Sequence, residues 1–63
     1  MYAVATPSGL YYTGRAGDRW LSDDPADAFG YRSESEARLK AKTFNTYDPA
    51  HRFAAVRVTE QTA

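Results

Sequence analysis

The chain has 63 residues and equal numbers of acidic and basic side chains, which gives a formal net charge of zero. A chain of this length is close to the lower limit for independent folding, so residues 1–63 are predicted to form one small domain. Zero net charge provides no overall attraction to nucleic acid or anionic membranes, the absence of cysteine excludes disulfides and thiolate metal sites, and no apolar run is long enough to span a membrane.

The first third of the chain is predicted to form three antiparallel strands joined by turns. Residues 1–6 and 10–13 are rich in valine, tyrosine and threonine, which favour strands, and the Pro-Ser-Gly sequence between them is typical of a turn. A second glycine-containing turn over residues 14–18 precedes a short third strand over residues 19–21. This spacing predicts a three-stranded meander.

Four aspartates lie around the end of this meander: Asp18, Asp23, Asp24 and Asp27. Asp23 or Asp24 is suited to cap a short helical turn that has Pro25 at its first position. The spacing of the four carboxylates does not match a calcium-binding EF-hand loop, so no metal site is predicted. The alternative interpretation is an acidic contact surface that imitates nucleic-acid phosphates toward a basic partner.

The sequence from Ser33 onward predicts one helix. Ser33 and Glu36 have the spacing of a capping box, in which the serine hydroxyl accepts a hydrogen bond from the N–H three residues later. The helix is expected to run from about residue 34 to about residue 45, because the Asp-Pro sequence at residues 48–49 prevents its continuation.

The helix has one face suited to pack against a sheet. Ala37, Ala41 and Phe44 follow the i, i+4, i+7 spacing of a buried stripe. Leu39 lies roughly opposite Ala37 and is therefore expected to be exposed, either as a tolerated surface leucine or as part of a partner contact.

The last predicted strand covers residues 52–59, with Ala54, Val56 and Val58 alternating toward the helix. The complete prediction is an α+β fold, in which a mainly antiparallel sheet carries one helix on one face in the order β-β-β-α-β.

The sequence contains little that supports catalysis. His51 is the only histidine, and the glycine-containing segment at residues 14–17 is more typical of a hairpin turn than of a phosphate-binding loop. General acid–base chemistry requires paired titratable groups in a cleft, which a small sheet rarely provides. We therefore predict a non-enzymatic protein with no catalytic residue, no metal and no cofactor.

Aromatic side chains are the strongest indication of a binding surface. Neighbouring residues in a strand point to opposite faces, so either Tyr11 or Tyr12 is expected on the sheet face that the helix leaves uncovered. Trp20, Phe53 and Leu39 are further candidate contacts, since aromatic side chains are common interface anchors. A host protein complex is the favoured partner, and the alternatives are a homodimer and a nucleic acid stacked on tyrosine and arginine side chains.

Three segments carry a resemblance to a known class of proteins. The Tyr-Tyr-Thr-Gly sequence at residues 11–14, the Trp-Leu-Ser-Asp sequence at residues 20–23 and the run from Phe29 to Ala37 resemble short α+β proteins encoded by bacteriophages and prophages. That class includes anti-CRISPR proteins and other inhibitors of host defence. The resemblance implies a phage-encoded inhibitor that binds a host defence complex in the cytoplasm and blocks it sterically.

Overall fold

The structure, a computed structural model that describes residues 1–58, contains a four-stranded sheet and one α-helix. The strands are β1 (Tyr2–Ala5), β2 (Tyr11–Tyr12), β3 (Leu21–Ser22) and β4 (Ala54–Arg57), and the helix is α1 (Glu34–Tyr47). They lie in the order β3-β2-β1-β4, and every neighbouring pair is antiparallel. The predicted α+β fold and its order of elements are confirmed.

Helix α1 begins and ends with local signals that are visible in the sequence. The Ser33 hydroxyl accepts a hydrogen bond from the Glu36 N–H at 3.3 Å, as a capping serine should. At the other end, the Asp48 N–H donates to the Phe44 carbonyl at 2.7 Å, and a proline follows directly. The helix is thus two residues longer than predicted. No helix within residues 1–58 has the length and apolar character needed to cross a bilayer.

The core lies between α1 and the two strands beneath it, β1 and β4. Ala37 and Ala41 are buried against Val4 and Phe53, and these four side chains form the buried cluster. Alanine side chains allow the helix to approach the sheet closely, as the predicted stripe required. Phe44 extends the contact toward β2 and β3, where half-buried aromatic side chains continue the packing.

The predicted facing of β4 is wrong. Phe53 is only 4% exposed and Ala55 packs against the core, whereas Ala54 is exposed. Pairing with β1 decides which side chains of β4 face the helix. Ala55 lies directly opposite Val4, which is fully buried beneath the helix. Val56 therefore lies on the opposite face. The predicted end of this strand at Thr59 is outside the described residues.

Strand β3 also begins later than predicted. Residues 17–19 form a 3₁₀ turn, and the backbone of Gly17 has a φ of 72°, a conformation that glycine adopts without strain. The turn closes with a hydrogen bond from the Trp20 N–H to the Gly17 carbonyl at 3.3 Å. Consequently, pairing with β2 starts at Leu21 instead of residue 19.

Candidate functional site

Three of the predicted contact residues lie on the helix side of the sheet. The Tyr12 ring packs against Phe44 with 4.7 Å between centroids, and the Trp20 ring lies 5.7 Å from that of Phe53. Tyr12 and Trp20 are half-buried and support the core. The prediction that Phe53 contacts a partner is wrong, because its side chain belongs to the core of the protein itself.

Tyr11 is the predicted aromatic that occupies the opposite face. It pairs with Ala5 in β1 and with Ser22 in β3, and directly paired residues share a face of the sheet. Ala3 and Ala5 lie on this face and are buried. The central part of this face therefore carries small side chains, and the half-buried Tyr11 lies toward β3.

A compact turn follows Ser22, the β3 residue paired with Tyr11, and its hydrogen bonds fix Asp24 and Asp27. The Asp24 carboxylate accepts the Ala26 N–H at 2.9 Å and caps a 3₁₀ turn over residues 25–27, which confirms the predicted cap and the position of its proline. The Ser22 hydroxyl donates to Asp27 at 2.9 Å and accepts the Asp24 N–H at 3.1 Å. Strand β3 and the acidic turn are thereby joined through one serine.

These contacts define a surface that we call the acidic corner, formed by Tyr11, Ser22, Asp23, Asp24 and Asp27. Its three aspartates are exposed to solvent. The other predicted contacts lie elsewhere, with Asp18 in the 3₁₀ turn before β3 and Leu39, 67% exposed, on the outer surface of α1. Within residues 1–58, no group of three or more histidine, aspartate or glutamate side chains is arranged to hold a metal ion.

A second feature, which no sequence pattern predicts, lies at the opposite edge of the sheet. The side-chain amide of Asn45 makes two hydrogen bonds with the backbone of Phe53, accepting its N–H at 2.7 Å and donating to its carbonyl at 2.8 Å. The amide thus occupies the position that a neighbouring strand would take next to Phe53. No short sequence motif signals this contact, because it joins a helix to a strand across a loop.

Beyond this amide, a groove of about 450 Å³ runs between α1 and β4. Its helix wall includes Glu34, Arg38 and Lys42, which recur every four residues along one side of α1. The Arg38 guanidinium contacts the Glu34 carboxylate at 2.5 Å, so that carboxylate already has a basic partner. Lys42 therefore contributes positive charge to the groove.

Comparisons of the chain with family models, curated proteins and solved structures found no match. The candidate binding surfaces of the described residues are the acidic corner and the groove beside β4.

Proposed function

We propose that this chain is a protein-binding module that docks through its acidic corner on a basic surface of a partner protein. The supporting observation is that Tyr11 pairs with Ser22, which leads into and hydrogen-bonds with a turn that carries three exposed aspartates. Tyr11 lies opposite Ser22, whose hydroxyl holds Asp27 at 2.9 Å. A strand tyrosine followed across the sheet by an acidic turn is suited to a partner surface that combines an apolar contact with lysine and arginine side chains.

The two kinds of side chain have different tasks in this proposal. Tyr11 buries apolar area on docking and loses little conformational freedom, as interface anchors do. The carboxylates of Asp24 and Asp27 are already fixed by hydrogen bonds within the turn, so little further ordering is needed when a basic surface approaches. Exposed charges of this kind mainly set the orientation and rate of association.

The proposed biological role is inhibition of a host defence complex by steric blockage in the cytoplasm of a phage-infected cell. This role follows from the sequence resemblance described above. The acidic corner adds a chemical reason, because clustered carboxylates imitate phosphates and compete for a basic surface that normally binds nucleic acid.

A retention experiment with host lysate tests the proposal. Immobilised wild-type protein is compared with Tyr11→Ala and Asp23→Lys, and both variants are expected to retain less of a specific host complex. Asp23 is chosen because the bonds that hold the turn run through Ser22, Asp24 and Asp27 instead. Double-stranded DNA added as a competitor is expected to release the complex.

Asp18→Lys is the matched control, since it makes the same charge change outside the acidic corner. The proposal fails if wild-type protein retains no specific complex, or if Asp23→Lys retains as much as wild type. Equal losses with Asp23→Lys and Asp18→Lys also contradict it, because they would show a response to net charge and not to the corner.

A further inference from the structure

The outer edge of β4 presents backbone groups that pair with no strand within residues 1–58. Both backbone groups of Tyr2 bond to Tyr31, on the side of β1 away from β4, at 3.0 and 2.7 Å. The facing pair of Tyr2 and Arg57 is therefore a pair without mutual hydrogen bonds, and the backbone N–H and C=O of Arg57 point outward. By the alternation of an antiparallel ladder, those of Ala55 point outward as well.

Proteins usually protect such an edge, and β4 has few of the usual devices. Proline, a bulge and inward-pointing charges are the common means of blocking strand addition. Strand β4 has the sequence Ala-Ala-Val-Arg, whose first three side chains are small and uncharged. The Asn45 amide occupies the edge at Phe53, so the open part of the edge within residues 1–58 starts after that residue and includes Ala55 and Arg57.

The charges beside this edge favour an acidic occupant. Lys42 and Arg38 line the groove next to Ala55, and Glu34 is already paired with Arg38. Arg57 is exposed and lies on the same face of the sheet as Ala55, because side chains two residues apart in a strand share a face. The immediate surroundings of the open edge therefore carry an excess of positive charge.

We propose that the β4 edge binds an extended, acidic segment of a partner protein, which adds to the sheet as a fifth, antiparallel strand. The residues opposite Ala55 and Arg57 point their side chains toward the groove and its cations, so both are acidic. The residue between them lies opposite Val56 on the far face and is apolar. The expected recognition pattern is an alternation of acidic and β-branched residues, and it is independent of the acidic corner at the other end of the sheet.

Fluorescence anisotropy with a labelled seven-residue peptide of alternating aspartate and valine tests this proposal. Saturable binding is expected, and a matched peptide with lysine in place of aspartate is expected not to bind. A third peptide with the same composition, in which the aspartates and valines form separate blocks, is expected to bind about tenfold more weakly or worse, because it cannot place acids on one face and apolar groups on the other.

Two variants locate the binding site. Ala55→Pro removes an outward N–H and leaves the ladder with β1 intact, and edge positions of this kind tolerate proline. Affinity for the alternating peptide is expected to fall about tenfold. Lys42→Glu is expected to weaken binding by a similar factor, whereas Arg15→Glu, with the same change in charge in the loop after β2, is expected to leave it unchanged.

Amide hydrogen exchange provides a second measurement that does not depend on any variant. Peptide binding is expected to slow exchange at Ala55 and Arg57, while Ala54 and Val56, which face β1, change little. Circular dichroism verifies that Ala55→Pro is folded. If Ala55→Pro does not fold, the affinity of Lys42→Glu for the alternating peptide tests the proposal instead. The proposal is overturned if the lysine peptide binds equally well, if Arg15→Glu weakens binding as much as Lys42→Glu, or if light scattering shows that a second copy of the chain already occupies the edge.

Discussion

The two ends of the sheet are completed in opposite ways. At the β3 end, a strand of two residues leads directly into a turn whose serine and aspartate side chains bond to one another and to the local backbone. At the β4 end, a strand of four residues is held at Phe53 by an amide from α1 and is open beyond that point. One end is held by contacts with its neighbours in sequence, and the other by a residue from the helix.

The two ends also differ in charge. Residues 1–31 contain four acidic and two basic side chains, whereas residues 32–63 contain four acidic and six basic ones. The net charge of zero is therefore the sum of two unlike halves and does not describe either surface. A neutral protein of this kind is able to present an acidic surface to one partner and a basic surface to another.

Phe53→Ala is expected to have the largest effect, because it removes the side chain that fills the β4 end of the core. Truncation of a buried phenylalanine costs about 3–5 kcal/mol, which is comparable to the whole stability of many small domains. We expect the variant to be mostly unfolded at 25 °C by circular dichroism. Leu39→Ala, which truncates an exposed side chain, serves as the control and is expected to change the free energy of unfolding by less than about 0.5 kcal/mol.

Asn45→Ala is expected to destabilise the protein by about 1–3 kcal/mol, since it leaves the Phe53 N–H and carbonyl without their partner. Urea denaturation measures the loss, and faster exchange of the Phe53 amide locates it. Asn45→Asp keeps an acceptor for the Phe53 N–H but places a second acceptor oxygen against the Phe53 carbonyl, so it is also expected to be less stable than wild type. If Asn45→Ala is as stable as wild type, the amide does not hold this end of β4.

Asp24→Ala removes the cap of the acidic turn and is expected to cost about 0.5–1 kcal/mol, at the low end for a cap because the turn is short and exposed. Asp23→Ala is the matched control at the neighbouring position and is expected to change stability by less than about 0.5 kcal/mol. Urea denaturation compares the two. Equal effects would show that the turn is not organised by its cap.

Tyr31→Phe is expected to have the smallest effect at neutral pH, and it acts on the middle of the sheet, between the two ends. Burial raises the pKa of Tyr31 above its usual value of 10.0, and the nearby Tyr12 and Glu36 act in the same direction. The ionised phenol is therefore disfavoured in the folded protein, and the stability that Tyr31 contributes is present below pH 10.0 and is lost as the pH rises through its raised pKa.

Urea denaturation at pH 7 and at several values above pH 10 measures this effect. The variant is expected to lose less stability than wild type with increasing pH. Parallel losses in the two proteins would show that other groups determine alkaline unfolding.

The same comparison explains which features the sequence allowed us to predict. The capping serine of α1 and the buried alanine stripe depend on residues within a few positions of one another and were predicted correctly. The cap of the acidic turn is equally local, and Asp24 is one of the two predicted candidates. The acidic turn was therefore recognisable. The pairing of Tyr11 with Ser22 was not predicted, because it depends on the register between β2 and β3.

The β4 end depends on contacts that local patterns do not contain. Residues 53–58 alternate apolar side chains in both possible phases, so the strand alone does not determine which set faces the helix. The register with β1, more than 45 residues earlier in the chain, decides it. The hydrogen bonds between Asn45 and Phe53 join residues eight positions apart across a loop. Local sequence patterns do not contain such contacts, so neither these bonds nor the groove beside β4 was predicted.

The position of Trp20 makes its fluorescence a probe of packing in the core. It is the only tryptophan in the chain, and its indole lies 5.9 Å from the Phe44 ring of α1 and 5.7 Å from the ring of Phe53, the residue before β4. Loss of packing on either side exposes the indole to water and moves its emission to longer wavelength. Intrinsic fluorescence therefore follows unfolding of every variant named above without an added label.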